Sequence, residues 1–170
     1  MERKYSTFWP RFCAGFIDGL VFLPLIFLTN YIYDSHQTLA IVLWFIVNTF
    51  ICYAYGIFFH GKFGQTLGKM AMKVKLMDIS ETRIVSYKQA FLRESVPIGL
   101  AVMLLPWDII HILNGTSYIF HSEMVYKDTI SLISIYAIAG WGLLEVVTML
   151  FSSKRRAIHD FIAGSVVVRV

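Results

Sequence analysis

Apolar residues in this chain fall in long blocks, not in the 3.6- or 2-residue alternation of half-buried elements. Two blocks, about residues 12–32 and 39–59, each hold about 21 residues, close to the ~20 that a helix needs to cross a bilayer core. A polar stretch from Tyr33 to Thr38, without Lys or Arg, separates them as an outer turn, and the second block carries Asn48 and Thr49 near its middle. A third block, residues 94–113, is less regular. Glu94 and Asp108 bracket 13 uncharged residues that include Pro97 and Pro106, so a re-entrant segment competes with a full crossing. The fourth block, residues 129–151, contains Glu145.

Between the second and third blocks the pattern shifts. Gly61, Gly64 and Gly68 are expected to break the helix at the membrane surface, and from Lys69 the period becomes two. Met70, Met72, Val74 and Leu76 would share one strand face and Lys69, Ala71, Lys73 and Lys75 the other. Residues 78–82 read as a turn and residues 83–85 as a short return strand. Ser86 and Gln89 form an S-x-x-Q capping box, which predicts a helix from Tyr87. At the other end of the chain, residues 165–170 are rich in β-branched side chains and read as a strand. A lone hairpin is marginal in water, so this strand is expected to pair with residues 73–77.

Composition makes the class firm. Hydrophobic residues are 57% of the chain and charged ones 15%, against roughly 25% charged in soluble domains, with a mean hydropathy of +0.64. The net charge of +4 matters less than its placement. Of the 15 Lys and Arg, three fall in residues 1–11, seven in 60–93 and four in 154–170, leaving only Lys127 elsewhere. Three crossings would put Lys154, Arg155 and Arg156 outside, against the positive-inside rule; four put both termini in the cytoplasm. The basic N-terminus lacks a signal peptide's short apolar core and cleavage site, so the first span is expected to be retained. Cys13 and Cys52 lie in apolar runs and are expected to be buried, reduced thiols.

The first span nevertheless carries charge. Arg11 and Asp18 lie two turns apart on one helix face, and charge facing lipid costs a few kcal/mol. Gly15 and Gly19 between them form a G-x-x-x-G spacing suited to close approach by another helix. Asp18 and Glu145 would both sit roughly 9–12 Å inside the inner boundary at 1.5 Å per residue. If the first and fourth helices pack together, these two carboxylates could hold a proton or a cation between them. Arg11 would bias that equilibrium, with Asp160 as its second partner. The alternative is a structural clamp of Arg11 with Asp18 and Asp160 that pins the tail to the bundle.

Other chemistry finds little support. Gly64-Gln65-Thr66-Leu67-Gly68-Lys69 is not a phosphate loop: three residues separate the glycines, and Met70 follows the lysine. His111, His121, Glu123 and Asp108 could gather outside, but they lack ligand spacing, and no H-E-x-x-H occurs. No serine or cysteine stands in a triad context, so no enzyme activity and no cofactor are expected. The basic face of Lys69, Lys73 and Lys75 is expected to meet anionic headgroups, not nucleic acid.

Three motifs then line up in order: W-P-R-F-C-A-G-F-I-D at residues 9–18, G-Q-T-L-G-K at 64–69 and R-R-A-I-H-D-F-I-A-G-S-V-V-V at 155–168. Together they resemble the RDD family of small polytopic membrane proteins, named for one arginine and two aspartates. The resemblance implies that Arg11 and Asp18 are the first-helix pair and Asp160 the second aspartate, and that some relatives exchange cations for protons. The long acidic outer loop and Glu145 have no counterpart in the shared pattern. The expected architecture is one all-α membrane domain over residues 1–170, with four transmembrane helices and a small cytoplasmic β element made by residues 60–93 and the tail, 152–170. The expected function is secondary transport in the cell membrane, exchanging monovalent cations for protons through Asp18 and Glu145 in a homo-oligomer. The alternative is a non-transporting adaptor or assembly factor whose charged residues hold the fold and whose cytoplasmic face binds a partner. Lipid handling at the basic interface is a third reading.

Overall fold

The computed structural model describes residues 3–114 and 129–170. The outer loop, with His121 and Glu123, lies outside the described residues. Among the described residues, after a 3-10 turn at Arg3–Tyr5, seven α-helices and two strands follow in order: α1 (Phe8–Val21), α2 (Leu23–Asp34), α3 (Thr38–Phe63), α4 (Leu67–Ala71), β1 (Val74–Asp78), α5 (Tyr87–Leu113), α6 (Thr129–Phe151), α7 (Ile158–Ile162) and β2 (Ser165–Arg169).

The four apolar blocks are all helical. α3, α5 and α6 are each long and apolar enough to cross a membrane, and α1 with α2 makes a fourth candidate span bent by 42°. The bend falls at Phe22, and Pro24 follows in the first turn of α2. Proline has no N–H to continue the helical ladder, and its ring clashes with the carbonyl four residues back. The irregular span is therefore the first. The third block, where a re-entrant segment competed with a full crossing, is one continuous helix of 27 residues, α5, as the full crossing requires. At 1.5 Å per residue it is about 40 Å long. Its start follows the sequence: Ser86 and Gln89 exchange the reciprocal capping bonds, with Ser86 N–H on Gln89 Oε1 at 3.0 Å and Gln89 N–H on Ser86 Oγ at 3.3 Å.

The long helices pack loosely within the chain. Only 6% of the most apolar window in α3, α5 or α6 is buried, and large side chains such as Phe27, Tyr31, Leu39, Met103, Tyr136 and Phe151 point outward. The compact core lies elsewhere. Val74, Leu76, Val85 and Val167 are at most 1% exposed and pack with Met72 at one end of the bundle. Burying each fully contributes roughly 1.5–3 kcal/mol, which makes a two-stranded sheet stable beside the helix ends.

That sheet is antiparallel, with Val74 opposite Arg169 and Asp78 opposite Ser165. The tail strand thus pairs where the sequence suggested. Three local expectations fail. The strand begins only at Val74, because Leu67–Ala71 is helical and Lys73 turns the chain at φ +54°. The return strand shrinks to one bridge, Met77 with Ile84. Nor does α3 break at Gly61; it runs to Phe63 and ends on Gly64, in the left-handed region at φ +70°. A side chain at Gly64 would lie 2.9 Å from the Leu76 carbonyl oxygen, so strain and crowding both demand glycine there.

The contacts also decide which ends meet. Arg11 of α1 bonds Asp160 of α7, and β1, between α3 and α5, pairs with β2. The start of the chain, the α3–α5 connection and the tail therefore gather at one end of the bundle.

Candidate functional site, a buried charge network

The network is built on α7, a helix too short to be stable alone. Asp160, with no exposed surface, accepts the Ala157 N–H at 3.0 Å, so its carboxylate reaches back over the first turn. Oδ2 also takes Arg11 Nη1 at 2.8 Å, and Oδ1 takes Arg93 Nη1 at 2.6 Å and the Ser165 hydroxyl at 3.3 Å. Burial by itself would raise this carboxyl's pKa; the two guanidiniums outweigh it and hold the pKa far below the carboxylate range. The rest of the motif holds the helix. Arg156 bonds the carbonyls of Asp160 and Ser165, both at 2.9 Å, and its guanidinium lies 4.0 Å from the Phe161 ring centre.

His159 extends the network. Arg93 Nη2 approaches its Nε2 at 2.5 Å and Arg11 Nη2 at 3.2 Å. Arginine only donates, so Nε2 is the acceptor and the ring proton sits on Nδ1. Nδ1–H then donates to Glu145 Oε1 of α6. Burial, reinforced by Arg93, pulls the His159 pKa down to about 4. Glu145, α6 and the tail are thereby joined to α1 and α5 through one neutral imidazole.

Asp18 belongs to a different set of bonds. Its Oδ1 accepts the Tyr55 hydroxyl at 2.8 Å and the Gly68 N–H at 2.8 Å; Oδ2 accepts the Thr66 hydroxyl at 2.6 Å. Thr66 is the N-cap of α4 and accepts the Lys69 N–H at 3.3 Å. The carboxylate thus sits on the first turn of α4, where unpaired N–H groups favour an anion. Gly68 permits this: a side chain there would come within 2.1 Å of the Ala14 carbonyl oxygen. The G-Q-T-L-G-K motif is therefore a docking joint for α1.

The sequence expectations sort accordingly. Arg11 and Asp160 form the expected pair. Asp18 is bonded to α3 and α4, not to Arg11 or Glu145, so neither the shared-carboxylate site nor the Arg11–Asp18 half of the clamp is formed. Among the described residues, a methyl group on Gly15 or Gly19 would meet nothing within 4 Å, so their open face meets no helix of this chain there. Lys69 is not headgroup-facing. It is buried, with Nζ 2.6 Å from His60 Nε2, and burial, with Arg93 and Arg11 nearby, pulls its pKa well below that of an ordinary lysine. Lys73 and Lys75 are not on one strand face with it, since Lys69 is helical and Lys73 precedes the strand. Cys52 is exposed, not buried, and Cys13 is intermediate; both are free thiols. Among the described residues no group of His, Cys, Asp and Glu suits a metal ion.

Four contributors escaped the sequence reading. Arg93 stands with Glu94 where the third apolar block begins, a signal as strong as that of Arg11. His159 adjoins Asp160, but a single histidine without ligand spacing gives no signal of its own. Tyr55 and His60 carried no signal, because a polar tip in an aromatic-rich helix reads as packing. His60 Nδ1 is buried and has no hydrogen-bond partner among the described residues. It lies beside Gly56, where a methyl group would be 4.0 Å from it and 3.7 Å from Glu94 Oε1.

A model of the RDD family matches residues 5–164. No curated protein and no solved structure matches the chain.

Proposed function

The chain belongs to the RDD family, and from that premise we propose a multi-pass cell-membrane protein that works as a non-catalytic adaptor, with both termini and the small sheet in the cytoplasm. The observation that carries this reading is the use made of its charges. Asp160 is saturated by Arg11, Arg93, Ala157 and Ser165, and Asp18 by Tyr55, Thr66 and Gly68. Both aspartates hold α4, α7 and the sheet rigidly against the helix ends, leaving the outer face of this module available to a partner. A carboxylate with three or four donors is a poor carrier for ions that must bind and leave.

Exchange of monovalent cations for protons is the second reading, and a specific cluster favours it. Lys69, His60 and Glu94 come from α4, α3 and α5, and only the Lys69–His60 bond satisfies any of their charged or ring-nitrogen groups among the described residues. Under this reading the exchanging groups are these three, not Asp18 with Glu145. The outward Gly15 and Gly19 would then serve contact between copies in a homo-oligomer.

Flux in proteoliposomes separates the readings, with an imposed pH gradient and Na⁺, K⁺ or Li⁺. The adaptor reading expects no cation-dependent collapse of the gradient, and expects Asp18→Asn to lower abundance or alter complexes. Flux in the wild type that disappears in a folded Glu94→Gln variant would establish exchange instead.

A further inference from the structure

Among the described residues, four other than glycine occupy the left-handed backbone region: His36, Lys73, Glu81 and Arg155. An ordinary side chain there costs on the order of 1–2 kcal/mol. Glu81 has a visible reason, because its carboxylate takes Lys4, Tyr5 and Lys154 at 2.5–2.7 Å. Arg155 has one as well: its carbonyl accepts Arg11, and its guanidinium bonds the Leu150 carbonyl. His36 lies in an exposed turn. Lys73 is the unexplained case. Its backbone carbonyl accepts the Val170 N–H at 3.0 Å and its N–H bonds the Met70 carbonyl at 3.2 Å, which glycine would do without strain. Its ammonium has no ion pair or hydrogen bond among the described residues.

Lys73 stands at the edge of an open cavity of about 470 Å³, lined also by Lys4, Ala71, Met72, Arg169 and Val170. Arg169, beside it across the sheet, likewise has no side-chain partner among the described residues. Lys4 adds positive charge, although its ammonium is on Glu81. Ala71, Met72 and Val170 make its floor apolar, and Leu67 and Met70, just before them in the chain, also face outward. Two uncommitted cations over an apolar floor fit an anion that carries hydrocarbon. Arginine suits a phosphate through two parallel N–H bonds, and lysine serves it as a point charge. Trp9 and Phe12 are exposed at the same end of the bundle, where aromatic side chains mark a membrane surface.

We propose that this cavity seats the phosphate of an anionic phospholipid headgroup between Lys73 and Arg169, with its glycerol carbons over Ala71, Met72 and Val170. The site is distinct from the buried Arg–Asp network and independent of whether the protein is an adaptor or an exchanger.

The test is titration of the full chain, purified in neutral detergent, with short-chain phosphatidylglycerol, counting bound lipid by native mass spectrometry. Lys73→Gly keeps the backbone and removes strain, so its melting temperature should equal or exceed that of the wild type. Its affinity for the lipid should fall about tenfold, the loss of one charge-assisted contact, and the double variant with Arg169→Gln should lose the bound lipid. Lys75→Gln, two residues on in β1 and not lining the cavity, should bind as the wild type does. Unchanged affinity in the double variant, or an equal loss in Lys75→Gln, would overturn the site in favour of diffuse attraction. Displacement of the lipid by inorganic phosphate at equal concentration would overturn the lipid assignment in favour of a soluble phosphate.

Discussion

Asp160 is one carboxylate between two guanidiniums, and removing its charge strands both of them. Breaking a buried pair on one side costs about 3–5 kcal/mol, because the remaining ion stays desolvated. Asp160→Asn should therefore sharply lower the thermal midpoint in detergent; a midpoint within a degree of the wild type would mean the network carries no strain-bearing load. His159 gives a pH signature. Its folded pKa of about 4 lies below the usual 6.5, so the unfolded chain binds more protons between those values. Stability is then full above about pH 6.5 and declines as pH falls towards 4, by an order of 3 kcal/mol over the window. Asp160 stays ionised throughout, since its pKa is lower still. Melting curves of wild type and His159→Gln from pH 7.5 to 4.5 should converge at the acid end as the histidine's contribution disappears. At this scale the sequence was partly legible. A charge inside an apolar block announces that it must be paired, but Arg11 was as compatible with Asp18 as with Asp160.

At the element scale the decisive case is α4, five residues of which the last three, from Lys69, read as the start of a strand. The Met and Lys alternation that starts there is genuine, yet Thr66 caps a helical turn and Asp18 accepts the Gly68 N–H and the Thr66 hydroxyl, so a tertiary partner overrode the period-two pattern. Gly68→Ala tests the joint. The new methyl group would drive into the Ala14 carbonyl, and overpacking of this kind costs about 1–3 kcal/mol. Faster proteolysis of the α3–α5 connection is expected. Gly15→Ala, on an open face, should leave it unchanged. Elements governed by local rules were legible from sequence: the capping box at Ser86 set the start of α5, and β-branched residues marked β2. The bend at Pro24 was visible as a proline and was passed over, while Pro97 and Pro106 lie within an unbroken α5.

For the whole molecule, the pairing of β1 with β2 and of Arg11 with Asp160 requires three distant segments to emerge together. Antiparallel partners sit about 4.5–5.5 Å apart at Cα, within disulfide reach. Cysteines replacing Met77 and Val166, which are register partners, should crosslink under mild oxidation in a background lacking Cys13 and Cys52. An impermeant thiol reagent should reach Lys75→Cys and Ser35→Cys from opposite sides of the membrane. Labelling of both from one side would refute the four-pass arrangement.

Composition and block length by themselves determined the membrane class, the helical segments and the end at which positive charge collects. These follow from transfer free energy and capping, which act on neighbours in the chain. Only the tertiary structure decided the pairings: Arg93 with Asp160, 67 positions apart, Glu145 with His159, and Asp18 with the start of α4. A buried charge requires some partner of opposite sign or some hydrogen-bond donor, and several in this chain would satisfy it. Which one it meets depends on how the helix ends and the small sheet close around it.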